Sequence, residues 1–287
     1  MYDSDQNAVP QKAAADDFLG RYREIVSDPL NLLIPRHPFA GTVDGDNVVL
    51  HNGNRVAYRG PLAYYEGFSS ILVINRGVHE PLEEYAFHAV LKRLEQAPTM
   101  IELGAYWGHY SMWLKRARPD ASIHLIEPSE HNLNVGKLNC ELNGIEARFS
   151  QLGVARGGFG LDAYFASEGI DHLTIVHSDI QGAEVKLLKD AKRTLSKKRV
   201  SYFFVSTHSQ EIHAQVRQKL SQAKYRVEVS ADFDQETTSF DGFILATHPD
   251  LPAVFGGSKP LGRTEILRAN PAELLESVAS NLKETQT

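Results

Sequence analysis

A small group of acids and glycines between positions 102 and 127 has the spacing of a nucleoside-binding site. Glu102, Gly104 and Gly108 form the pattern Glu-x-Gly-x-x-x-Gly, and Glu127 follows Gly104 by 23 residues. In βαβ dinucleotide-binding units, an acid about 20 residues after the glycine turn hydrogen-bonds the ribose hydroxyls, because two carboxylate oxygens match a vicinal diol. The sequence therefore predicts that Glu127 binds a ribose.

The glycine pattern also indicates which nucleoside cofactor fits. It lacks the Gly-x-Gly-x-x-Gly spacing that brings a helix N-terminus against a pyrophosphate. An acid at Glu102, just before the turn, would repel phosphate but would pair with a cationic ligand. S-adenosylmethionine (SAM) carries a sulfonium and an ammonium group and no phosphate. We therefore expect SAM rather than NAD.

Asp179 and His208 could act on a second substrate. Each follows a short apolar run, which places both at the predicted carboxyl ends of neighbouring strands. An alcohol that attacks a sulfonium methyl group must lose its proton, which requires a base near neutral pKa or a metal ion that acidifies the hydroxyl. Two roles stay open: His208 as the general base, or Asp179 and His208 as ligands of a divalent metal ion.

The elements that position these residues alternate between strand and helix. Short apolar runs predict strands at 100–103, 123–126, 147–152, 173–176, 200–205, 225–229 and 242–246. Helical spacing of apolar residues predicts helices at 80–94, 108–114, 129–142, 161–168, 183–195 and 211–223. This alternation predicts an α/β fold with a mostly parallel sheet that is covered on both faces and binds ligands at the carboxyl ends of its strands.

Four segments are expected along the chain. Residues 1–15 are small, polar and charged, and are predicted to be disordered. Residues 16–97 read as an N-terminal extension or cap, with a helix at 16–26 and short β-like runs between 43 and 74, including the run from Ser69 to Ile74. Residues 98–250 form the cofactor-binding domain, and 251–287 form a C-terminal tail.

Composition limits the function classes. The chain has 287 residues, 42% of them hydrophobic, a net charge of −6 and a single cysteine, Cys140. This charge gives no general attraction to nucleic acid or to anionic lipid. One cysteine excludes a disulfide within the chain, and no run of 18 apolar residues occurs. A cytoplasmic protein with a small-molecule acceptor is expected, without nucleic-acid or membrane partners, and self-association is left open.

Several motifs together resemble the FkbM-type SAM-dependent methyltransferases. They are, in order, Glu102-Leu-Gly-Ala-Tyr-Trp-Gly-His-Tyr-Ser111, Glu127-Pro128, Asn139, Asn143-Gly144 and Asp179-Ile-Gln-Gly-Ala-Glu184. The resemblance covers roughly residues 98–248. It implies a Rossmann-like sheet whose last strand is antiparallel, and transfer of a methyl group to a hydroxyl oxygen, often on a sugar or natural product.

The resemblance also assigns roles to individual residues. It implies that Glu127 binds the ribose and that Asp179 with Glu184 stands at the active-site end of the fourth strand. The expected cofactor contacts are Glu102, Gly104, Tyr106, Gly108, Ser111, Glu127, Gln151 and Asp179. Two other classes remain open: a SAM-binding module without turnover, and a nucleotide-dependent oxidoreductase on a related sheet.

Overall fold

The computed structural model describes residues 11–14, 16–65, 67–154, 158–256 and 259–284. Before residue 98, the described chain combines three helices with a small three-stranded antiparallel sheet. The elements there are α1 (Phe18–Ser27), a 3-10 turn (Pro29–Leu32), β1 (Val43–Asp44), β2 (Asn47–Val49), β3 (Arg55–Ala57), α2 (Ile71–Ile74) and α3 (Pro81–Leu91).

Beyond residue 98, strands and helices alternate as the apolar pattern predicts. The elements are β4 (Thr99–Leu103), α4 (His109–Ala117), β5 (Ser122–Ile126), α5 (Glu130–Leu142), β6 (Arg148–Ser150), α6 (Leu161–Glu168), β7 (Leu173–Ser178), α7 (Glu184–Asp190), α8 (Lys192–Ser196), β8 (Val200–Thr207), α9 (Gln210–Gln222), β9 (Arg226–Ala231), β10 (Gly242–Thr247), α10 (Arg263–Arg268) and α11 (Pro271–Glu284).

Strands β4 to β10 form one seven-stranded sheet in the order β6-β5-β4-β7-β8-β10-β9. The pairs β4·β5, β5·β6, β4·β7 and β7·β8 are parallel, whereas β10 is antiparallel to both of its neighbours. The predicted fold class is confirmed as a Rossmann-like α/β fold: a mostly parallel sheet whose last strand is antiparallel, with helices on both faces and a small β-rich extension before it. The strand order reverses beside β4, and in such sheets the ligand crevice lies at the carboxyl ends of the strands at that point.

The core lies on both faces of this sheet because successive strand residues point to opposite sides. In β8, Phe204 packs with α3 and α4 on one face, while Phe203 packs with α7 and α9 on the other. A third apolar cluster joins the N-terminal extension to the sheet domain, with Leu50 and Ile71 packed near Met112 of α4. The extension is therefore anchored on the helices that flank the glycine turn.

Two local predictions are wrong. The run from Ser69 to Ile74 was expected to be β-like, but it forms α2, in which the amide of Ile74 donates to the carbonyl of Ser70. A short apolar run does not distinguish a strand from a buried helical turn. The predicted helix 183–195 is two helices, because the Asp162 carboxylate accepts from the amides of Arg193 and Thr194 and caps a new helix there.

The chain ends also bear on the sequence expectations. Residues 1–10 and 15 of the predicted disordered segment lie outside the described residues, as do residues 285–287 of the tail. Residues 11–14 are described and form no helix or strand. Within them, the Lys12 ammonium donates to the carbonyl of Phe233. The described tail contains α10 and α11, and the Tyr85 hydroxyl donates to the carbonyl of Asn281 in α11. Among the helices described, none is long and apolar enough to span a bilayer.

Candidate functional site

The glycine turn after β4 lies against the end of β7. The amide of Gly104 donates to the carbonyl of Ile126, and the amide of Asp179 donates to the carbonyl of Leu103, both at 2.9 Å. Gly104 has φ +72°, and a Cβ at this position would lie 1.7 Å from the carbonyl oxygen of Asp179. Only glycine fits here, because the backbone is left-handed and two chain segments touch.

A cavity of about 960 Å³ opens at these strand ends. Small-molecule sites range from about 300 to 1,000 Å³, so this cavity has room for a nucleoside cofactor together with a small acceptor. Its lining includes six predicted cofactor contacts: Glu102, Gly104, Tyr106, Glu127, Gln151 and Asp179. The described lining residues do not include Gly108, Ser111 or His208.

Glu127 follows β5 directly and is held rigidly at the cavity wall. Its carboxylate accepts from the amide of Tyr106 at 3.2 Å and from the amide of Ser129 at 2.9 Å. Burial raises the pKa of Glu127, although these backbone amides lower it in part. A carboxylate has about four lone-pair sites, so two remain for a ligand diol after the amides are satisfied.

Glu102, inside β4, is buried with its carboxylate turned toward α4. It accepts from the amide of Ser111 at 2.9 Å, and burial raises its pKa. Ser111 therefore supports Glu102 through its backbone amide. Gly108, with φ +75°, precedes the first residue of α4 and gives the turn its shape.

Tyr106 and Gln151 occupy the rim of the cavity. Tyr106 has φ +41°, and its hydroxyl donates to the carbonyl of Ala63 and accepts from the amide of Tyr65. The side chain of Gln151 is exposed and donates to the carbonyl of Pro128 at 3.4 Å. Through Tyr106, the glycine turn is thus hydrogen-bonded to the N-terminal extension.

His208, which directly follows β8, lies among three carboxylates. Its Nδ1 is 2.8 Å from Glu184 Oε1, and its Nε2 is 3.0 Å from Asp179 Oδ1 and 3.7 Å from Asp241 Oδ2. The Nε2 atom is buried and lies between the oxygens of Asp179 and Asp241. Asp179, His208 and Asp241 each offer one ligand atom, and these atoms lie within 4.8 Å of one another.

The charge state of His208 follows from these neighbours. Burial lowers its pKa, but hydrogen bonds with Asp179 and Glu184, together with the charges of Asp241 and Asp179, outweigh burial and raise it from 6.5 to about 11. The ring of His208 is therefore protonated at neutral pH when no cation replaces the proton. Burial, reinforced by the charge of Asp179, raises the pKa of Asp241.

The cavity wall is strongly acidic. Its lining includes five carboxylates, Glu80, Glu102, Glu127, Asp179 and Asp241, and no Lys or Arg occurs among the described lining residues. A site built for a pyrophosphate would need cationic groups or amide dipoles directed at the phosphates. The wall instead favours a ligand that carries positive charge, as the sequence predicts from Glu102.

Sequence reasoning missed several groups around the cavity. Asp241 directly precedes β10, and because β10 is antiparallel, its first residues meet the carboxyl ends of the parallel strands. An acid immediately before the last predicted strand was thus a usable signal. Glu83 of α3 carried no comparable signal: its carboxylate contacts His177 Nε2 at 2.6 Å and accepts from the Ser206 hydroxyl beneath the cavity.

No protein-family model and no curated protein matches this sequence. Similar solved structures include precorrin-6y C5,15-methyltransferase from Geobacter metallireducens GS-15, 12% identical, with a TM-score of 0.43 over 58% of this chain and 86% of that chain. The METTL16 MTase domain is 12% identical, with a TM-score of 0.46 over 59% and 66%. The N-terminal domain of EvdMO1 with SAH bound is 19% identical, with a TM-score of 0.40 over 56% and 78%. Since these similarities are distant, the site itself has to indicate the function.

Proposed function

We propose that this protein is a SAM-dependent methyltransferase that acts on a hydroxyl group of a small molecule, of the sugar or natural-product type. One observation carries the proposal: a single acidic cavity is lined by the glycine turn, by Glu127 and by Asp179 and Asp241, the two carboxylates that contact Nε2 of His208. Cofactor-binding and proton-handling groups thus face one space. The FkbM-type assignment stays a prediction that rests on the motifs.

The residues present fit SAM. Glu127 has lone pairs left for the ribose hydroxyls, and the left-handed turn at Gly104 lets a ligand approach the backbone closely. The carboxylates along the wall complement the sulfonium and the ammonium of the cofactor. When bound, SAM supplies an electrophilic methyl group, and the chain has to bind and orient the acceptor and remove its proton.

We assign the removal of that proton to the cluster of Asp179, His208 and Asp241. A protonated His208 cannot accept a proton, which argues against this residue as a lone general base. Two carboxylates and one imidazole are a donor set that divalent cations accept, and Nε2 of His208 faces both carboxylates, as a ligand atom would. We therefore favour Asp179, His208 and Asp241 as holders of a divalent cation, which would supply Lewis acidity toward the acceptor hydroxyl.

The acidity of the wall also bears on the acceptor. An anionic acceptor would face repulsion from the carboxylates of a wall on which no described Lys or Arg occurs. Burial lowers the pKa of His79 on the same wall, but Glu80 and Glu84 outweigh burial and raise it to about 10, and the ring is already paired with these two carboxylates. Neutral or cationic hydroxyl compounds therefore fit better than phosphorylated ones. The same repulsion argues against an oxidoreductase that uses a dinucleotide.

Binding and turnover are tested separately. Thermal shift with SAM and with NAD distinguishes the cofactors, and we expect stabilisation by SAM alone. Transfer of a labelled methyl group to fractionated metabolites, with neutral and phosphorylated pools kept apart, then tests catalysis. Loss of transfer in Asp241→Asn is expected, with Asp250→Asn, an exposed acid beyond the opposite end of β10, as the matched control.

Three results would contradict the proposal at different levels. Stabilisation by NAD and not by SAM would refute the cofactor. Binding of SAM without transfer to any pool would leave the non-catalytic module as the better description. Transfer confined to the phosphorylated pool would refute the argument from the acidic wall.

A further inference from the structure

A second group of histidines surrounds Glu84, outside the cavity lining. His51 follows β2, Glu84 belongs to α3, and His109 is the first residue of α4. All three are buried, and none of them is among the described residues that line the cavity. The group therefore joins the N-terminal extension to the helix that begins at the glycine turn.

The ligand atoms of this group converge on the Glu84 carboxylate. His51 Nε2 is 2.8 Å from Oε2, and His109 Nε2 is 3.8 Å from Oε1. His51, Glu84 and His109 each offer one atom, and the three atoms lie within 4.8 Å of one another. His79 Nδ1 also contacts Oε1, at 2.6 Å, and the amide of His79 donates to the same oxygen, so His79 holds Oε1 while His51 faces Oε2.

Ion pairing accounts for only part of this arrangement. His51 and His79 can each place a charged ring against Glu84, but His109 is 1% exposed and neither of its ring nitrogens has a hydrogen-bond partner among the described residues. By contrast, both ring nitrogens of the buried His213 are hydrogen-bonded, to the hydroxyls of Thr207 and Ser230. An imidazole buried without partners is costly unless a ligand satisfies it.

Packing fixes the rings in this position. His109 stacks on Trp107 with ring centroids 5.0 Å apart and an interplanar angle of 11°, and His51 meets the edge of Trp113 at 4.3 Å. The loop at Gly77 packs closely against the backbone of His51: a Cβ on Gly77 would lie 2.1 Å from the His51 amide nitrogen. These contacts restrain both imidazoles where they face the same carboxylate.

We propose that His51, Glu84 and His109 bind a divalent transition-metal ion of the zinc type, at a site distinct from the cluster at Asp179. Two imidazoles and one carboxylate are the donor set that zinc accepts, and His79 orients the carboxylate from the side, as outer partners of metal ligands commonly do. The ion would give His109 Nε2, which has no hydrogen-bond partner among the described residues, a common partner with His51 and Glu84.

This site would fasten the extension to the glycine turn. His51 and Glu84 come from the extension, whereas His109 comes directly after Gly108. A metal bond between these parts would restrain the start of α4 and therefore the turn that forms the cofactor side of the cavity. The role is structural, and it does not require that the cavity carry out methyl transfer.

The test measures zinc binding by a variant in which the cluster at Asp179 can no longer hold a metal ion. The double variant Asp179→Asn/His208→Gln is stripped with a chelator and titrated with zinc, and we expect it to bind about one equivalent. Adding His109→Gln should weaken binding about 100-fold or more, since even changes to outer partners of a metal commonly cost 10- to 100-fold. His213→Gln in the same background is the matched control and should bind zinc unchanged.

X-ray absorption of the zinc-loaded double variant gives an independent readout, with imidazole scattering expected in the first shell. If His109→Gln does not fold, His51→Gln decides instead, because His51 contacts the same carboxylate. The proposal is overturned if the double variant binds no zinc. It is equally overturned if both glutamine variants bind zinc as tightly as the double variant, or if no imidazole is found at the metal.

Discussion

Replacement of Glu127 by alanine tests the ribose assignment most directly. The carboxylate lies at the end of β5, 5% exposed, and is held by the amides of Tyr106 and Ser129. Because the group is already oriented and largely desolvated, a ligand diol gains hydrogen bonds to a charged acceptor without further ordering of the side chain. The variant removes these bonds and leaves the two amides facing the cavity.

The expected loss follows from the strength of hydrogen bonds to charged groups. Each contributes about 1.5–3 kcal/mol, and part of this is recovered when water replaces the carboxylate, so a pair corresponds to about 2–4 kcal/mol. At about 1.4 kcal/mol per tenfold change, SAM should bind about 30- to 1,000-fold more weakly.

Calorimetric titration of the metal-stripped protein measures this loss. The same decrease should appear with 5′-methylthioadenosine, which retains the ribose, and not with methionine, which lacks it. Glu130→Ala is the matched control, since it removes an exposed acid from the first turn of α5. An affinity for SAM within threefold of the unmodified protein, in a variant whose thermal unfolding is unchanged, would refute the ribose assignment.

Three further predictions concern the turn, the cluster and a buried acid. Gly104→Ala should lower the melting temperature far more than Gly144→Ala, because both have positive φ but only a Cβ at position 104 meets backbone; equal shifts would contradict this. EDTA should abolish methyl transfer while calorimetry still detects SAM, and Asp179→Asn and His208→Ala should each weaken metal binding; activity after complete chelation would refute the cation. Burial raises the pKa of Asp28 from 3.8 to about 6, so its contribution to stability is present below pH 3.8 and is lost as the pH rises to 6. In urea unfolding between pH 4 and 7, the free energy of unfolding of Asp28→Asn should therefore rise by about 2–3 kcal/mol relative to that of the unmodified protein. A difference that stays constant with pH would contradict this.

The sheet and the part of the cavity at the glycine turn could be predicted because the sequence signals for them lie close together in the chain. The switch from strand to helical spacing at Gly104 and the acid at Glu127 lie within one strand-turn-helix-strand unit, so chain connectivity alone brings them together. Asp179 was predictable for a related reason, since it follows a parallel strand whose carboxyl end must share an edge with β4. These residues all line the cavity.

Residues that meet through distant parts of the chain could not be predicted in the same way. The acid before the last strand indicated which edge of the sheet Asp241 occupies, but its contact with His208 depends on how β10 inserts antiparallel between β8 and β9, a register that no apolar period specifies. Glu184 was placed at the active-site end, but its contact with Nδ1 of His208 depends on how α7 begins after the bend at Gly182. Periodicity predicts which face a residue occupies and not which distant side chain it meets.

The two histidine clusters show how differently a buried imidazole can be stabilised in one fold. His208 has carboxylates on both sides, so its charge is compensated whether a proton or a metal ion occupies Nε2. His109 has an aromatic ring against its face and no hydrogen-bond acceptor at either nitrogen among the described residues; the nearby carboxylate oxygen, Glu84 Oε1 at 3.8 Å, is already in contact with His79. A cation shared with Glu84 is the arrangement that satisfies His109 without charging it, and it would do so at the residue that follows the glycine turn. The stability of the cofactor turn would then depend on the extension through a bond that the sheet alone does not provide.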